Sequence, residues 1–273
     1  MVYIALLLLG LILGSFVNAL VWRIHEQESG KKDKKLSITK GRSICPNCKH
    51  QLSSKDLIPL LSWLWLKRRC RYCHKHISSQ YPLVEALTAT LFLVSYVFWP
   101  YGLQTVIEVM LFIAWLPVIV GFVALSVYDI KWFILPNRII YPLWVFVLPL
   151  GILNYENYSG LLTYLLGVGF ASLIGGGIFY AIYLISKGKW IGGGDIRLGW
   201  MLGFIAATPA RSVLFIFIAS LLGTFISMLL MSLRRYKKHQ LIPFGPFLMA
   251  GLFIVQLFGE QIIDWYLNTL VIT

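Results

Sequence analysis

Eight apolar runs separated by short polar connections dominate the chain, at about residues 2–22, 82–99, 104–128, 139–153, 160–186, 196–207, 213–233 and 243–258. Most approach the roughly 20 residues that an α-helix needs to cross a bilayer core. The run after Asp195 is short, about 12 residues, or roughly 18 Å at 1.5 Å per residue, and on its own would be a doubtful span. The pattern predicts an all-α polytopic membrane protein with about eight transmembrane helices. The first run has no basic stretch before it and no small-x-small cleavage site before Arg23. It therefore reads as a retained helix rather than a signal peptide.

The polar and basic residues 23–81 interrupt this pattern once, as the one insert large enough to be a soluble subdomain. Three parts follow: a first helix at 1–22, the insert at 23–81, and seven membrane helices at 82–273. Within the insert, Glu26 to Lys40, with Lys31, Lys32, Lys34 and Lys35, reads as a flexible, solvated charge run. Gly10 and Gly14 give the first helix a small-xxx-small face suited to close helix packing, although such spacing also arises by chance in apolar helices. Asn18, polar within that helix, is expected to bond another helix. Gly167, Ala171 and Gly175 form a second small-residue face.

Composition fits the pattern: 58% of the 273 residues are hydrophobic, too many for a soluble domain of this length. The net charge of +13 could indicate nucleic acid, but its placement indicates topology. If every run spans, 23 of the 24 Lys and Arg residues fall on one side, and only Arg211 falls on the other, with Glu156, Glu260 and Asp264. Removing the short run as a span would strand Arg234, Arg235, Lys237 and Lys238 outside. The positive-inside rule thus favours eight spans, both termini outside and the insert in the cytoplasm, and leaves no nucleic-acid partner.

All four cysteines lie in the insert, as Cys45-Pro46-Asn47-Cys48 and Cys70-Arg71-Tyr72-Cys73. Two such knuckles suit tetrahedral Zn²⁺ on four thiolates, a closed and therefore structural site. Two disulfides are the competing reading, disfavoured in a reducing cytoplasm. Lys67, Arg68, Arg69 and Arg71 would favour the thiolates, and metal binding would help so small a segment fold. His50, His74 and His76 read as surface residues.

Two acids stand where apolar runs meet the side that carries the cations. Asp129 lies in Tyr128-Asp129-Ile130-Lys131, and Asp195 follows Gly192, Gly193 and Gly194. Ionisable groups at membrane depth are functional candidates. Two carboxylates close together share a proton: the charged one activates water, and the protonated one polarises a scissile carbonyl. The three glycines leave space for an extended substrate backbone beside Asp195. Plainer alternatives stand beside this reading: a hinge with Asp195 as helix N-cap, and an Asp129–Lys131 ion pair. Glu85 reads as structural, bonded to the insert, and Glu108 lies near the outer side.

Taken together, these residues resemble the type IV prepilin peptidase family, in the GxGD class of membrane aspartic proteases. The resemblance rests on Gly14-Ser15-Phe16-Val17-Asn18 with Arg23; the first cysteine knuckle; Asp56-Leu57-Ile58-Pro59 with Ser62-Trp63; the second knuckle; Tyr81-Pro82-Leu83-Val84-Glu85; Asp129 with Leu135-Pro136-Asn137; and Gly192-Gly193-Gly194-Asp195-Ile196-Arg197-Leu198. It implies a bacterial cytoplasmic-membrane enzyme with Asp129 and Asp195 catalytic. Such an enzyme cleaves prepilins or pilin-like secretion and competence proteins after a glycine, between a basic leader and an apolar helix. Lys131, Arg138 and Arg197 are candidates to meet the glutamate that follows the cut in such substrates. The resemblance also implies methylation of the new N-terminus with S-adenosylmethionine, to which no residue is assigned. No glycine-rich nucleotide loop follows a strand pattern.

Other readings explain less. A transporter with an Asp-based proton relay accounts for the acids but not the cysteines. A zinc-ribbon adaptor accounts for the cysteines but not the acids. A preflagellin or presenilin-like peptidase shares the chemistry but lacks the insert.

Overall fold

The computed structural model describes all residues except 31–35, 39–40, 152–154, 156–157, 234–241 and 272–273, and only the backbone of 270 and 271. The lysine run at 31–35, Glu156 and the basic cluster at 234–238 therefore lie outside the described residues. The described residues form ten α-helices and no β-sheet, only the isolated bridges Ile44–Gln51 and Arg69–His76. Two compact units divide the chain, Met1–Val97 and Phe98–Thr273.

In the first unit, α1 (Val2–Glu28) packs along α3 (Gln80–Val97). Gly10 and Gly14 are the contact face, as their spacing predicts. A Cβ on Gly10 would lie 2.5 Å from Ala89 Cα, and one on Gly14 2.7 Å from Glu85 Cα, so only glycine lets the backbones approach this closely. Asn18 bonds the partner helix: its amide donates to the carbonyls of Gly14 (3.3 Å) and Tyr81 (3.2 Å) and accepts from Gln80 (3.1 Å).

The helix α1 runs six residues past the apolar run, because Arg23 and Ile24 are themselves buried. The Arg23 guanidinium donates to the carbonyls of Ser37, Ile38 and Gly41 at 2.9–3.2 Å, and Gln27 donates to Leu36 at 2.8 Å. The flexible run expected from Glu26 to Lys40 is thus corrected for its described parts: Glu26 to Glu28 are helical, and Leu36 to Ile38 are tied to α1. A 3₁₀ turn (Ser54–Leu57) and α2 (Leu61–Trp65) complete the insert. Glu85 is bonded to it, accepting from the Leu60 amide at 2.8 Å.

The second unit contains α4 (Val106–Trp132), α5 (Asn137–Leu150), α6 (Leu161–Ser172), α7 (Ile178–Ser186), α8 (Gly193–Ala206), α9 (Pro209–Ser232) and α10 (Gly245–Tyr266). Glu108 is a structural cap. Its carboxylate accepts from the amides of Gln104 and Thr105, while its own amide donates to the Thr105 hydroxyl, a capping box at the head of α4. Arg211 is buried at the start of α9, donating to the Tyr101 hydroxyl (2.9 Å) and the Val255 carbonyl (3.2 Å).

Helices α6 and α7 form one continuous element through a π-helical stretch, Leu173–Gly177. Its glycines let α8 come close: a Cβ on Gly175 would lie 2.6 Å from the Gly199 carbonyl oxygen and 2.9 Å from Gly203 Cα. Ala171 also meets Gly203, whereas Gly167 faces the Tyr158 ring. The small-residue face predicted here therefore anchors the helix that carries Asp195.

Among the described residues, five helices are long and apolar enough to cross a membrane: Val2–Glu28, Val106–Trp132, Leu161–Ser186, Pro209–Ser232 and Gly245–Thr269. The chain is a multi-pass membrane protein. Four further described helices are not in this class, among them the five-residue α2. The helix α3 carries Gln80 and Glu85, and α5 and α8 have 14 residues each.

Candidate active site and metal centre

Asp129 sits in the last turn of α4, where Phe133 closes the helix in the left-handed region and donates its amide to the Asp129 carbonyl at 2.8 Å. The side chain is buried, 6% exposed, and its Oδ2 accepts from the Gly245 amide at 3.1 Å. Gly245 is the first residue of α10, so Asp129 satisfies one of the unpaired amides of that helix and meets the positive end of its dipole. The ion pair with Lys131 does not form. The Lys131 ammonium lies over the Trp132 ring, 5.4 Å from its centroid.

Asp195 is the third residue of α8, and Gly192, in extended conformation, is the N-cap. The helix-cap alternative for Asp195 is thereby corrected, and the start of α8 moves to Gly193. The reason is that Gly193 and Gly194 occupy first-turn positions, whose amides have no partner within the helix. The Asp195 carboxylate turns back toward the Gly192 amide and is close enough to Asp129 to act on it electrostatically.

Leu135 joins the two halves. A Cβ on Gly194 would lie 2.8 Å from Leu135 Cβ, and one on Gly245 3.3 Å from Leu135 Cδ2 and 2.7 Å from Asp129 Oδ2. One leucine between α4 and α5 therefore packs against the glycines beside both aspartates. Asn137 adds a tie, accepting from Arg197 of α8 at 2.7 Å. The three glycines differ: the side of Gly194 is filled by Leu135, a Cβ on Gly192 would lie 3.5 Å from Asp195 Oδ2, and Gly193 faces open space. Sequence reasoning missed Gly245. The signal was Phe244-Gly245-Pro246 at the head of the last apolar run, where a glycine and a proline at N1 and N2 mark a helix start.

The candidate metal centre is built from two copies of one local turn. Cys45 donates its amide to the His50 carbonyl and accepts from Lys49; Cys70 donates to Lys75 and accepts from His74, all at 2.9 Å. Lys49 and His74 take the same left-handed conformation, with φ of 59° and 56°. The four cysteines are free, and their sulfurs lie within 4.8 Å of one another. Cys45 Sγ and Cys73 Sγ are 4.0 Å apart; tetrahedral Zn–S bonds of about 2.3 Å require about 3.8 Å. This set could hold a metal ion, and the competing reading of two disulfides is not met, since all four cysteines are free.

Burial works against the Cys45 thiolate, but the amides of Cys48 and Asn47 and the neighbouring thiols outweigh it and bring its pKa to about 7. For Cys73 the Lys75 amide helps, but burial and the three neighbouring sulfurs push the thiol up to about 11. The first thiolate discourages the next, and a divalent cation would relieve that conflict. The His50 ring packs on Tyr72 at 3.7 Å, so it bridges the knuckles rather than joining the sulfur set. Asp56 braces the centre, accepting from the Ser53 hydroxyl and amide and from the Tyr72 hydroxyl, and pairing with Arg71 Nε at 2.8 Å.

Two family models match the chain in succession. Residues 8–99 match the bacterial Peptidase A24 N-terminal domain, and residues 110–228, which include both aspartates, match the type IV leader peptidase family. Proteins named prepilin leader peptidase/N-methyltransferase are similar over nearly the whole chain. The one from Aeromonas salmonicida (strain A449) is 31% identical over 96% of this chain and 93% of its own length. Those from Pseudomonas aeruginosa and Bacillus subtilis are 31% and 33% identical, each over 96% of this chain and over 92% and 97% of their own lengths. No solved structure matches this chain. On these grounds the chain belongs to the type IV leader peptidase family, Peptidase A24.

Proposed function

We propose that this protein removes the leader of a prepilin or pilin-like protein by aspartyl hydrolysis with Asp129 and Asp195. The observation that carries the proposal is their convergence: acids about 65 residues apart in sequence stand within electrostatic reach at the ends of α4 and α8. The pair holds one proton between two carboxylates. The charged member takes a proton from water, whose oxygen adds to the scissile carbonyl while the protonated member donates a hydrogen bond to that carbonyl. Collapse of the tetrahedral adduct breaks the C–N bond, and a carboxyl returns the proton to the leaving amine. Gly193, facing open space, leaves room for the substrate backbone beside Asp195, and Gly192 borders the same opening.

Eight spans are part of this reading. The helices α3, α5 and α8 cross with the five longer ones, the insert and both aspartates face the cytoplasm, and the termini lie outside, in a bacterial cytoplasmic membrane. The charge count supports this topology. Functionally, residues 1–22 anchor, 23–81 carry a structural Zn²⁺ on Cys45, Cys48, Cys70 and Cys73, and 82–273 hold the protease helices. The substrate has a basic leader followed by an apolar helix. The names of the relatives support a second reaction, methylation of the new N-terminus from S-adenosylmethionine. The described residues contain no strand-to-helix nucleotide loop, and no residue is assigned to that donor.

The test is leader removal from a co-expressed prepilin. Asp129→Asn and Asp195→Asn should each abolish it while leaving the protein in the membrane. Cleavage that persists in either variant overturns the aspartate pair, and no cleavage by the unsubstituted chain counts against a prepilin substrate and leaves the proton-relay transporter reading open. Mass spectrometry of the mature N-terminus reads out methylation.

A further inference from the structure

The insert carries an apolar surface that neither site uses. Among the described residues of 29–79, the exposed large apolar side chains are Leu57, Ile58, Leu61, Leu64, Trp65 and Tyr72. Tyr72 is engaged by the His50 ring and Asp56. The other five fall within nine consecutive residues, with Leu64 60% and Trp65 68% exposed. Elsewhere in the chain such exposure belongs mostly to the apolar helices.

The height of this segment is set by Glu85. Its carboxylate accepts the Leu60 amide at 2.8 Å and meets the Ser15 hydroxyl, and its backbone packs against Gly14. Ser15 lies seven residues before Trp22, about 10 Å along α1. The segment therefore departs from a level well inside the apolar stretch of α1, not beyond its end. The turn is strained: Leu60 has φ 59° and ψ −50°, with Leu61 donating to the Pro59 carbonyl at 2.6 Å, a rare γ-turn with positive φ. Such strain persists only where the surroundings over-determine it, and here the Glu85 carboxylate clasps the turn.

Immediately after Trp65 come Lys67, Arg68 and Arg69, all exposed. A short apolar segment with a tryptophan at its end and cations beside it has the composition of an interfacial anchor, which sinks roughly 5–10 Å into the headgroup–acyl boundary. Tryptophan favours that level, and juxtamembrane cations favour anionic lipid. The same three cations would repel a basic leader, and in a symmetric contact they would repel those of a second copy.

We propose that residues 57–65 lie in the headgroup–acyl boundary of an anionic leaflet, with Lys67, Arg68 and Arg69 against lipid phosphates, and hold the metal-bearing insert at the membrane surface. The inference rests on α1 crossing the bilayer and on no catalytic assignment, so its failure would leave the peptidase reading intact.

The experiment places a photo-crosslinker in the full chain as Trp65→p-benzoylphenylalanine, with Lys75→p-benzoylphenylalanine as control, in nanodiscs containing phosphatidylglycerol. Irradiation should give a phospholipid adduct at position 65 and none at position 75. The yield should fall when phosphatidylcholine replaces the anionic lipid, and when Lys67, Arg68 and Arg69 are all changed to Glu. A lipid adduct missing at position 65, or replaced by one to a second copy or to added prepilin, overturns the proposal; so does a yield indifferent to lipid charge. A second measurement does not depend on the crosslinker: quenching of tryptophan fluorescence by brominated lipid should lose a component in Trp65→Phe, and unchanged quenching counts against the anchor.

Discussion

The cysteine centre and the aspartate site are both built from two halves, but the halves are joined over very different lengths of chain. Each cysteine knuckle closes on itself within six residues, through a Cys45–His50 or Cys70–Lys75 hydrogen bond. The aspartate site draws Asp129 from the end of α4, Leu135 from the α4–α5 connection, Asp195 from the first turn of α8 and Gly245 from the first turn of α10. The first is local geometry that could hold a cation; the second is long-range packing among helices, held where glycines let one leucine pack beside both aspartates and a backbone amide reach Asp129. Local closure makes a site tolerant of changes elsewhere, whereas long-range closure makes it sensitive to a single methyl group far away in sequence.

The largest expected effect tests the local half. Structural zinc contributes on the order of 10–16 kcal/mol in small zinc-binding peptides near neutral pH, more than a segment whose regular structure is two isolated β-bridges, a 3₁₀ turn and a five-residue helix could otherwise supply. Cys70→Ser should reduce bound zinc from one equivalent to none and open residues 41–79 to proteolysis. The helices of the Phe98–Thr273 unit should keep their resistance. An insert that stays resistant without metal would break the comparison, because its fold would not then depend on the local centre.

The next effect tests the long-range half. Gly245→Ala places a methyl group 2.7 Å from Asp129 Oδ2 and 3.3 Å from Leu135 Cδ2, and something must move. A displacement of about 1 Å at a reacting group costs on the order of 10²-fold in rate, so prepilin cleavage should fall by about that factor with the protein still folded. Wild-type cleavage in Gly245→Ala would mean that Asp129 does not need the head of α10.

The same contrast explains what the sequence made legible. Cysteine spacing and the apolar runs are local signals, and they marked the four-cysteine cluster and the helices in outline. The two aspartates stood out because acids at membrane depth are costly. What brings them together did not stand out: Gly245 lies 116 residues from Asp129, and no periodicity links them. Boundaries moved where side chains overrode the apolar pattern, as Arg23 and Ile24 extended α1 and Gly193 joined α8. The strained turn at Leu60 was invisible because it depends on a carboxylate 25 residues away.

The smallest expected effect sharpens the local half further, since it separates the metal from its brace. Burial works against ionising Asp56, but the Ser53 hydroxyl and amide, the Tyr72 hydroxyl and the Arg71 guanidinium outweigh it and hold its carboxyl below the usual range. A depressed folded-state pKa adds stability that is fully present above the unfolded value, about 4, and is lost as pH falls through the lower folded value. Asp56→Asn should therefore cost the insert stability at neutral pH, about 1 kcal/mol, because the Arg71 end of the pair is 49% exposed and water screens it. The gap between Asp56→Asn and the unsubstituted chain should close only as the pH drops below the ordinary carboxylate range. The difference between the two unfolding curves is the readout, because the cysteines titrate in both. A gap that widens with acid would reverse the sign and show that Asp56 is held protonated. A gap that is absent at neutral pH would show that the knuckles and their metal position Tyr72 and Arg71 without it.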